Sequence, residues 1–163
     1  MACRGVYFAI SDEELKRLLN AKDDEQRLSI FQDEIEQKWD EEWLYEMDKS
    51  WDALHRCLAD GSLGMDNDPK PLSLCVLGGR QLYSGDDYII SLKTTLEVTD
   101  LARALSSISQ QDLLKRYFAI APDYAMDLNE QDFQYTWDYF SGLPEFLAKA
   151  ASAGRHVVFT VDQ

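Results

Sequence analysis

The residues of this sequence that could do acid–base chemistry lie close together, between positions 44 and 58. Asp48, Asp52 and His55 follow one another at intervals of four and three residues, which on a helix would align their side chains along one face. Such an imidazole could act as a general acid or base, with Asp48 or Asp52 orienting the ring. A buried histidine that hydrogen-bonds a carboxyl or carbonyl group would give the same pattern. Because the sequence signals neither a nucleophile nor a water-activating metal, it favours the structural role.

An amphipathic helix over residues 44–58 would be needed to position these side chains. Its apolar residues recur at intervals of three or four, the spacing of one helical face: Leu44, Met47, Trp51, Leu54 and Leu58. Trp51 therefore belongs to the predicted core, where its truncation would leave a cavity. Neither Gly nor Pro interrupts residues 24–60, but one uniform helix of that span would be unusually long. We therefore expect a break between residues 41 and 49.

Strand and helix signals alternate along the rest of the chain. Compact apolar or β-branched runs predict strands at residues 5–10, 88–92 and 156–161. Helix-capping boxes begin at Ser11 and Thr94, each followed three residues later by a glutamate. The pattern predicts one α/β (α+β) domain over residues 1–163, helix-rich, with a mixed β-sheet covered by helices in αβα-type layers.

The balance of charge limits the kinds of partner. Thirty acidic residues against 16 basic ones give a formal net charge of −14, which repels phosphate backbones and anionic lipids. Nucleic acids and membranes are therefore not expected as partners, whereas a basic protein would be attracted. Solubility alone would also explain the charge. The sequence contains neither the apolar core of a signal peptide nor a run of membrane-spanning length, so we expect a cytoplasmic protein.

The cysteines and the acidic turns carry no recognisable metal or cofactor motif. Cys3, Cys57 and Cys75 form neither a CxxC pair nor a zinc-ligand spacing. The segment that starts at Asp66 begins like a calcium loop, but Pro71 takes the place of the required glycine. We predict three free thiols, no structural metal and no cofactor.

An acidic stretch is the candidate surface for a protein partner. Residues 33–48 contain eight acids and one base, with two tryptophans among them that could anchor an interface. The turn at residues 85–87 adds two aspartates, although Gly-Asp-Asp is also ordinary turn chemistry. The candidate partner-binding residues of the two segments are Glu36, Asp40, Glu42, Trp43, Asp86, Asp87 and Tyr88.

Over nearly its full length the sequence resembles the YfbM-like family of small bacterial proteins, domain of unknown function 1877. The resemblance rests on the N-terminal strand, on the Lys-x-Trp-x-x-Leu-His pattern of residues 49–55, on Val-Leu-Gly-Gly at residues 76–79, and on a C-terminal helix followed by a strand. It implies a single αβα-type domain. It implies no reaction.

Three hypotheses about function remain. The first is a non-enzymatic acidic module that binds a basic protein, for example an immunity factor that neutralises a basic toxin. The second is an enzyme that uses His55 and its aspartates in a pocket also lined by Arg80, Tyr83 and Tyr88. The third is a small-molecule-binding or regulatory module. The charge and the missing catalytic motif support the first hypothesis, but the sequence does not separate the first from the third. It also leaves the oligomeric state open.

Overall fold

Among residues 3–163, five β-strands form one open sheet at the centre of the protein. The computed structural model describes residues 3–163. The strands are Gly5–Ile10 (β1), Leu44–Asp48 (β2), Arg80–Gln81 (β3), Tyr88–Lys93 (β4) and His156–Asp162 (β5). Their spatial order is β2-β1-β5-β4-β3, and every neighbouring pair is antiparallel. The predicted strands at both ends of the chain and in its middle are thus confirmed, but the sheet is antiparallel throughout and not mixed as predicted.

Seven α-helices occur among residues 3–163. They are Asp12–Leu19 (α1), Asp24–Ile30 (α2), Trp51–Leu58 (α3), Thr95–Ser106 (α4), Gln110–Tyr117 (α5), Glu130–Phe140 (α6) and Leu143–Ser152 (α7). A π-helical segment, Phe31–Glu36, continues α2, and a short 3₁₀ turn covers Leu72–Leu74. Both predicted capping boxes are formed, at Ser11 and at Thr94. None of these helices combines the length and the apolar composition needed to cross a bilayer.

Helices cover both faces of the sheet, which confirms the predicted α+β class and its αβα layers. Tyr7 and Phe159 point to the face covered by α3 to α7, and their ring centroids lie 5.0 Å apart. Phe8 and Val158 point to the opposite face, covered by α1, α2 and the π-helical segment. Strands buried on both faces need apolar residues at successive positions, which explains why β1 reads as one continuous apolar run.

Residues 44–58 do not form the single helix that their spacing predicts. Leu44–Asp48 is strand β2, and α3 begins only at Trp51. A short apolar segment is ambiguous between the two periods, and pairing with β1 decides here, since Tyr45 lies opposite Tyr7. The expected break is present, but it is a change from helix to strand. Asp48 ends β2 with a φ of 44°, in the left-handed region that aspartate tolerates.

Trp51 lies in the core, as predicted. The residue is 7% exposed, and its ring centroid lies 6.1 Å from that of Phe159 on β5. Its indole Nε1 donates a hydrogen bond to the carbonyl oxygen of Cys3 at 2.9 Å, which satisfies the polar atom that a buried tryptophan brings inside. Trp51 thus ties the start of α3 to the centre of the sheet.

Candidate functional site

His55 lies inside the protein and not in an open cleft. The residue is 1% exposed. Its Nδ1 accepts a hydrogen bond from the backbone N–H of Leu77 at 3.4 Å, and its Nε2 has no hydrogen-bond partner within the described part of the chain. Burial lowers the pKa of His55 to about 4, although the polar groups of Gly64 and Asn67 near the ring act in the opposite direction; the charge of Lys93 adds to the effect of burial. The ring is therefore neutral at pH 7 and out of reach of a substrate in this conformation.

The two carboxylates predicted beside His55 bind other groups. Asp48 accepts a hydrogen bond from the Tyr135 hydroxyl at 2.8 Å, and Asp52 accepts one from Arg56 Nε at 2.6 Å. Asp52 precedes His55 by about one turn on α3, but Asp48 belongs to β2. The predicted alignment of three side chains on one helical face is therefore wrong, because a strand replaces the first half of that helix.

The pocket that the enzyme hypothesis requires is divided between the two faces of the sheet. Tyr83 and Tyr88 pack into the apolar cluster beneath α1 and α2. The helix that carries His55, α3, packs into the cluster on the opposite face. Arg80 is exposed on the short edge strand β3. The chain therefore does not bring these residues together with His55, and no acid–base machinery is assembled from them.

A buried polar cluster next to His55 is a feature that sequence analysis missed. Lys93 at the end of β4 is almost completely buried. Its Nζ donates to the Ser91 hydroxyl at 2.6 Å and to the carbonyl oxygen of Val76, and it lies 5.7 Å from the ring centroid of Phe159. Burial lowers the pKa of Lys93 to about 7. The side chain fastens the loop before β3 to the inner face of β4.

One signal in the sequence could have revealed this cluster. Residues alternate between the two faces of a strand, so Ile89, Ser91 and Lys93 share the face that packs against α3 to α7. A lysine in register with buried residues of a central strand calls for internal hydrogen-bond acceptors. For Lys93 the acceptors are Ser91 and the carbonyl oxygen of Val76. The Ser91 hydroxyl in turn donates to the carbonyl oxygen of Gly78, and the sequence does not connect residues 76–78 with β4.

The predicted partner-binding residues fall into two groups at opposite ends of β5. The first group lies near Asp162, where Glu36 Oε2 accepts a hydrogen bond from the Tyr88 hydroxyl at 3.0 Å. Tyr88 itself is buried, and burial raises the pKa of Glu36. Asp87 accepts a hydrogen bond from the Tyr83 hydroxyl at 3.0 Å. Of this group, only Asp86 and Asp87 are exposed on the turn before β4.

The second group lies near the other end of β5 and is partly neutralised by the protein's own bases. The Trp43 ring lies between two cations, with Arg155 Cζ at 3.9 Å and Lys149 Nζ at 4.4 Å from its centroid. Glu42 lies 3.9 Å from the same lysine, and Asp40 lies 3.5 Å from Lys38. Trp43 is therefore a packed cation–π residue and not the bare aromatic anchor that the sequence suggests.

A cavity of about 490 Å³ lies on the side of the sheet that carries α6. We call it the acidic tyrosine cavity, and its lining includes Lys49, Tyr124, Met126, Asn129, Asp132 and Tyr135. One oxygen of Asp132 accepts hydrogen bonds from the hydroxyls of Tyr117 at 2.6 Å and Tyr124 at 2.9 Å. Burial, and then the hydrogen bond to Asp132, raise the pKa of Tyr124. The tyrosine hydroxyls thus orient the carboxylate at the cavity.

Arg56 supports this cavity from inside. It is buried on α3, pairs with Asp52, and reaches Asp123 at 2.8 Å. Its guanidinium carbon lies 5.7 Å from the centroid of the Tyr124 ring. Because Arg56 holds both α3 and the loop before α6, it fixes the position of Tyr124. Sequence analysis missed this site because its walls come from separate segments, although the tyrosine-rich, base-free stretch from residue 117 to residue 148 was a visible signal.

Comparison with known proteins places this fold in a family. The family model described as domain of unknown function DUF1877 matches residues 1–160. The chain belongs to this family. Among solved structures, the chain is similar to YfbM from Escherichia coli, a protein of unknown function, with a TM-score of 0.71 and 22% identity over 97% of this chain and 99% of that chain. No curated protein is detectably related to the chain in sequence.

These relationships confirm the resemblance and the fold. Because the related proteins have no described function, the chemistry of the site is inferred from its residues. Residues 3–163 contain no group of three or more His, Cys, Asp or Glu placed to hold a metal ion. The groups that do converge in an open site are a carboxylate, tyrosine rings and one exposed lysine. Carboxylates and aromatic faces both attract cations, so the cavity of this DUF1877 protein is suited to binding a cationic group.

Proposed function

We propose that this DUF1877 protein is a non-enzymatic module that binds a basic protein, as an immunity factor does when it neutralises a basic toxin. The observation that carries the proposal is the formal net charge of −14 on a single domain of 163 residues. A field of that size accelerates encounter with a basic surface and discourages wrong partners.

The burial of His55 also supports a binding role. General acid–base catalysis requires a side chain within hydrogen-bond reach of the reacting group, whereas His55 is 1% exposed and its Nδ1 is occupied by the Leu77 backbone. A neutral, enclosed imidazole of this kind fits a role in packing. The acids at the surface are the groups that a partner would meet.

Affinity capture tests this proposal. The tagged protein is used as bait in a lysate of cells that express it naturally, in moderate salt, and the bound protein is then produced separately. We expect a basic partner whose association rate falls steeply with ionic strength. An immunity role further requires that the partner is toxic when expressed alone and harmless when co-expressed. Recovery of nucleic acid, or of a partner that is itself acidic, would contradict the proposal.

The acidic tyrosine cavity favours a second candidate function, the binding of a small organic cation. Its volume of about 490 Å³ falls within the range of roughly 300–1,000 Å³ that is usual for ligand sites. Native mass spectrometry of the protein purified from its own cells would detect such a ligand as a fixed mass increment. Loss of that increment in Asp132→Asn, with an unchanged increment in Glu13→Gln on the opposite face of the sheet, would assign it to the cavity.

A further inference from the structure

Exposed apolar side chains are concentrated on two neighbouring loops. Eight large apolar side chains are exposed among residues 3–163, and five of them lie within residues 61–71 and 118–129: Leu63, Met65, Phe118, Met126 and Leu128. The backbone N–H of Ala121 donates a hydrogen bond to the carbonyl oxygen of Gly61 at 2.9 Å, which joins the two loops. Clustered apolar exposure of this kind is typical of interaction sites, whereas single exposed residues are ordinary.

The surroundings of these loops are strongly acidic. Residues 61–71 contain two acids and one base, Lys70, and residues 117–148 contain six acids and no Lys or Arg. Two of these acids are paired with the protein's own bases, Asp66 with Lys70 at 3.5 Å and Asp123 with Arg56 at 2.8 Å, and the acids remain in excess. A basic protein is therefore the complementary partner for the loops.

The acidic tyrosine cavity opens beside Met126, which is 58% exposed. Asp132 offers a carboxylate there, and Tyr124 and Tyr135 offer aromatic walls. A guanidinium or ammonium group gains from both kinds of neighbour. The protein uses the same chemistry on the inner side of the cavity, where Arg56 lies over the Tyr124 ring and pairs with two aspartates.

We propose that loops 61–71 and 118–129 form the docking surface for the basic partner, which places a Lys or Arg side chain in the acidic tyrosine cavity against Asp132. The inference rests on the proposed function and adds the location and the chemistry of recognition. Lys49 is exposed and lines the same cavity. Lys49 adds a positive charge at this cavity, so removal of that charge should strengthen the binding of a cation.

An NMR titration of the ¹⁵N-labelled protein tests this surface. The probe is acetyl-arginine amide, its neutral isostere is acetyl-citrulline amide, and spermidine represents a free amine. We expect shifts of the Tyr124, Asn129 and Asp132 amides with the arginine probe and none with the citrulline probe. Asp132→Asn should weaken binding about fivefold and Lys49→Met should strengthen it about twofold. Glu13→Gln should change nothing, because Glu13 is exposed on α1, on the opposite face of the sheet.

The other outcomes separate this inference from the proposed function. Shifts confined to residues 33–48, or equal binding of the citrulline probe, would overturn the docking surface. Either result would leave the proposed function untouched, because affinity capture tests the basic partner separately. Spermidine binding without arginine binding would assign the cavity to a free amine and would also overturn the inference. Lys49→Met alters an exposed side chain, so its effect can be measured even if Asp132→Asn fails to fold.

Discussion

The stability of the protein should rise with pH above neutrality because Lys93 is buried. The folded protein holds the pKa of Lys93 at about 7, whereas the ordinary value for lysine is 10.5. Between these two values the unfolded chain binds one proton more than the folded chain does, so the free energy of unfolding increases with pH. Below about pH 6 both states are protonated, and this contribution is constant.

The size of the effect follows from the same two pKa values. A full proton difference changes the free energy of unfolding by about 1.4 kcal/mol per pH unit. Because Lys93 is still half-protonated in the folded state at pH 7, we expect a gain of about 1.6 kcal/mol between pH 7 and about pH 8.5. The window ends there because burial raises the pKa of Cys57 and Cys75 above the ordinary 9.0. Those thiols make stability fall again as the pH approaches their unfolded-state pKa.

Urea unfolding followed by tryptophan fluorescence measures this slope directly. The wild type and the exposed-site control Lys16→Met should both gain stability from pH 7 to pH 8.5, whereas Lys93→Met should give a flat line. Slopes are compared, since the substitution also leaves the Val76 carbonyl without its donor. A wild-type slope equal to that of Lys93→Met, or a flat wild-type line if that variant does not fold, would refute the reasoning.

Three further predictions concern the core, the buried histidine and the acidic stretch. Trp51→Ala should cost about 3–5 kcal/mol in chemical denaturation, the usual range for an aromatic lost from a core, and a loss below about 1 kcal/mol would contradict its packing against Phe159. His55 has a pKa of about 4 when folded and 6.5 as its ordinary value, so wild-type stability should fall as the pH drops from 6.5 to 4. Over that pH range the free energy of unfolding of His55→Gln should fall by up to about 3 kcal/mol less than that of the wild type. An equal fall in both proteins would exclude this effect. Substitution of Asp40 and Glu42 by Lys should slow association with the captured basic partner and weaken the dependence of the association rate on salt, with little change in the dissociation rate. Stopped-flow mixing measures the association rate, and an unchanged rate would exclude a steering role for these acids.

The elements with local signals could be predicted from the sequence. The capping boxes at Ser11 and Thr94 depend on contacts within four residues, and both form. Strands β1 and β5 are continuous apolar or β-branched runs because both of their faces are covered. The helix predicted for residues 44–48 was wrong because their conformation does not depend on local signals. Their conformation depends on pairing with β1, some 40 positions earlier in the chain, and local spacing carries no information about that partner.

The candidate site could be predicted only in its general character. The acidic charge and the attraction for cations follow from composition. The position of the cavity does not, because Lys49, Met126 and Asp132 converge only after α6 has packed beside β2 and α3. The surroundings of Trp43 could not be predicted either. Its acidic neighbours in sequence suggested an exposed anchor, but Arg155 and Lys149 approach it from more than 100 residues away.

The position of β5 has a consequence for the order of folding during synthesis. This strand lies between β1 and β4, and Val6 pairs with Thr160. Until residues 156–162 have left the ribosome, β1 and β4 have no hydrogen-bonded neighbour in common, and the two halves of the sheet cannot join. Closure across so many residues is slow compared with local helix formation. We therefore expect the helices to form on the nascent chain before the sheet is completed by β5. During that interval the edges of β1 and β4 that later pair with β5 are accessible to chaperones.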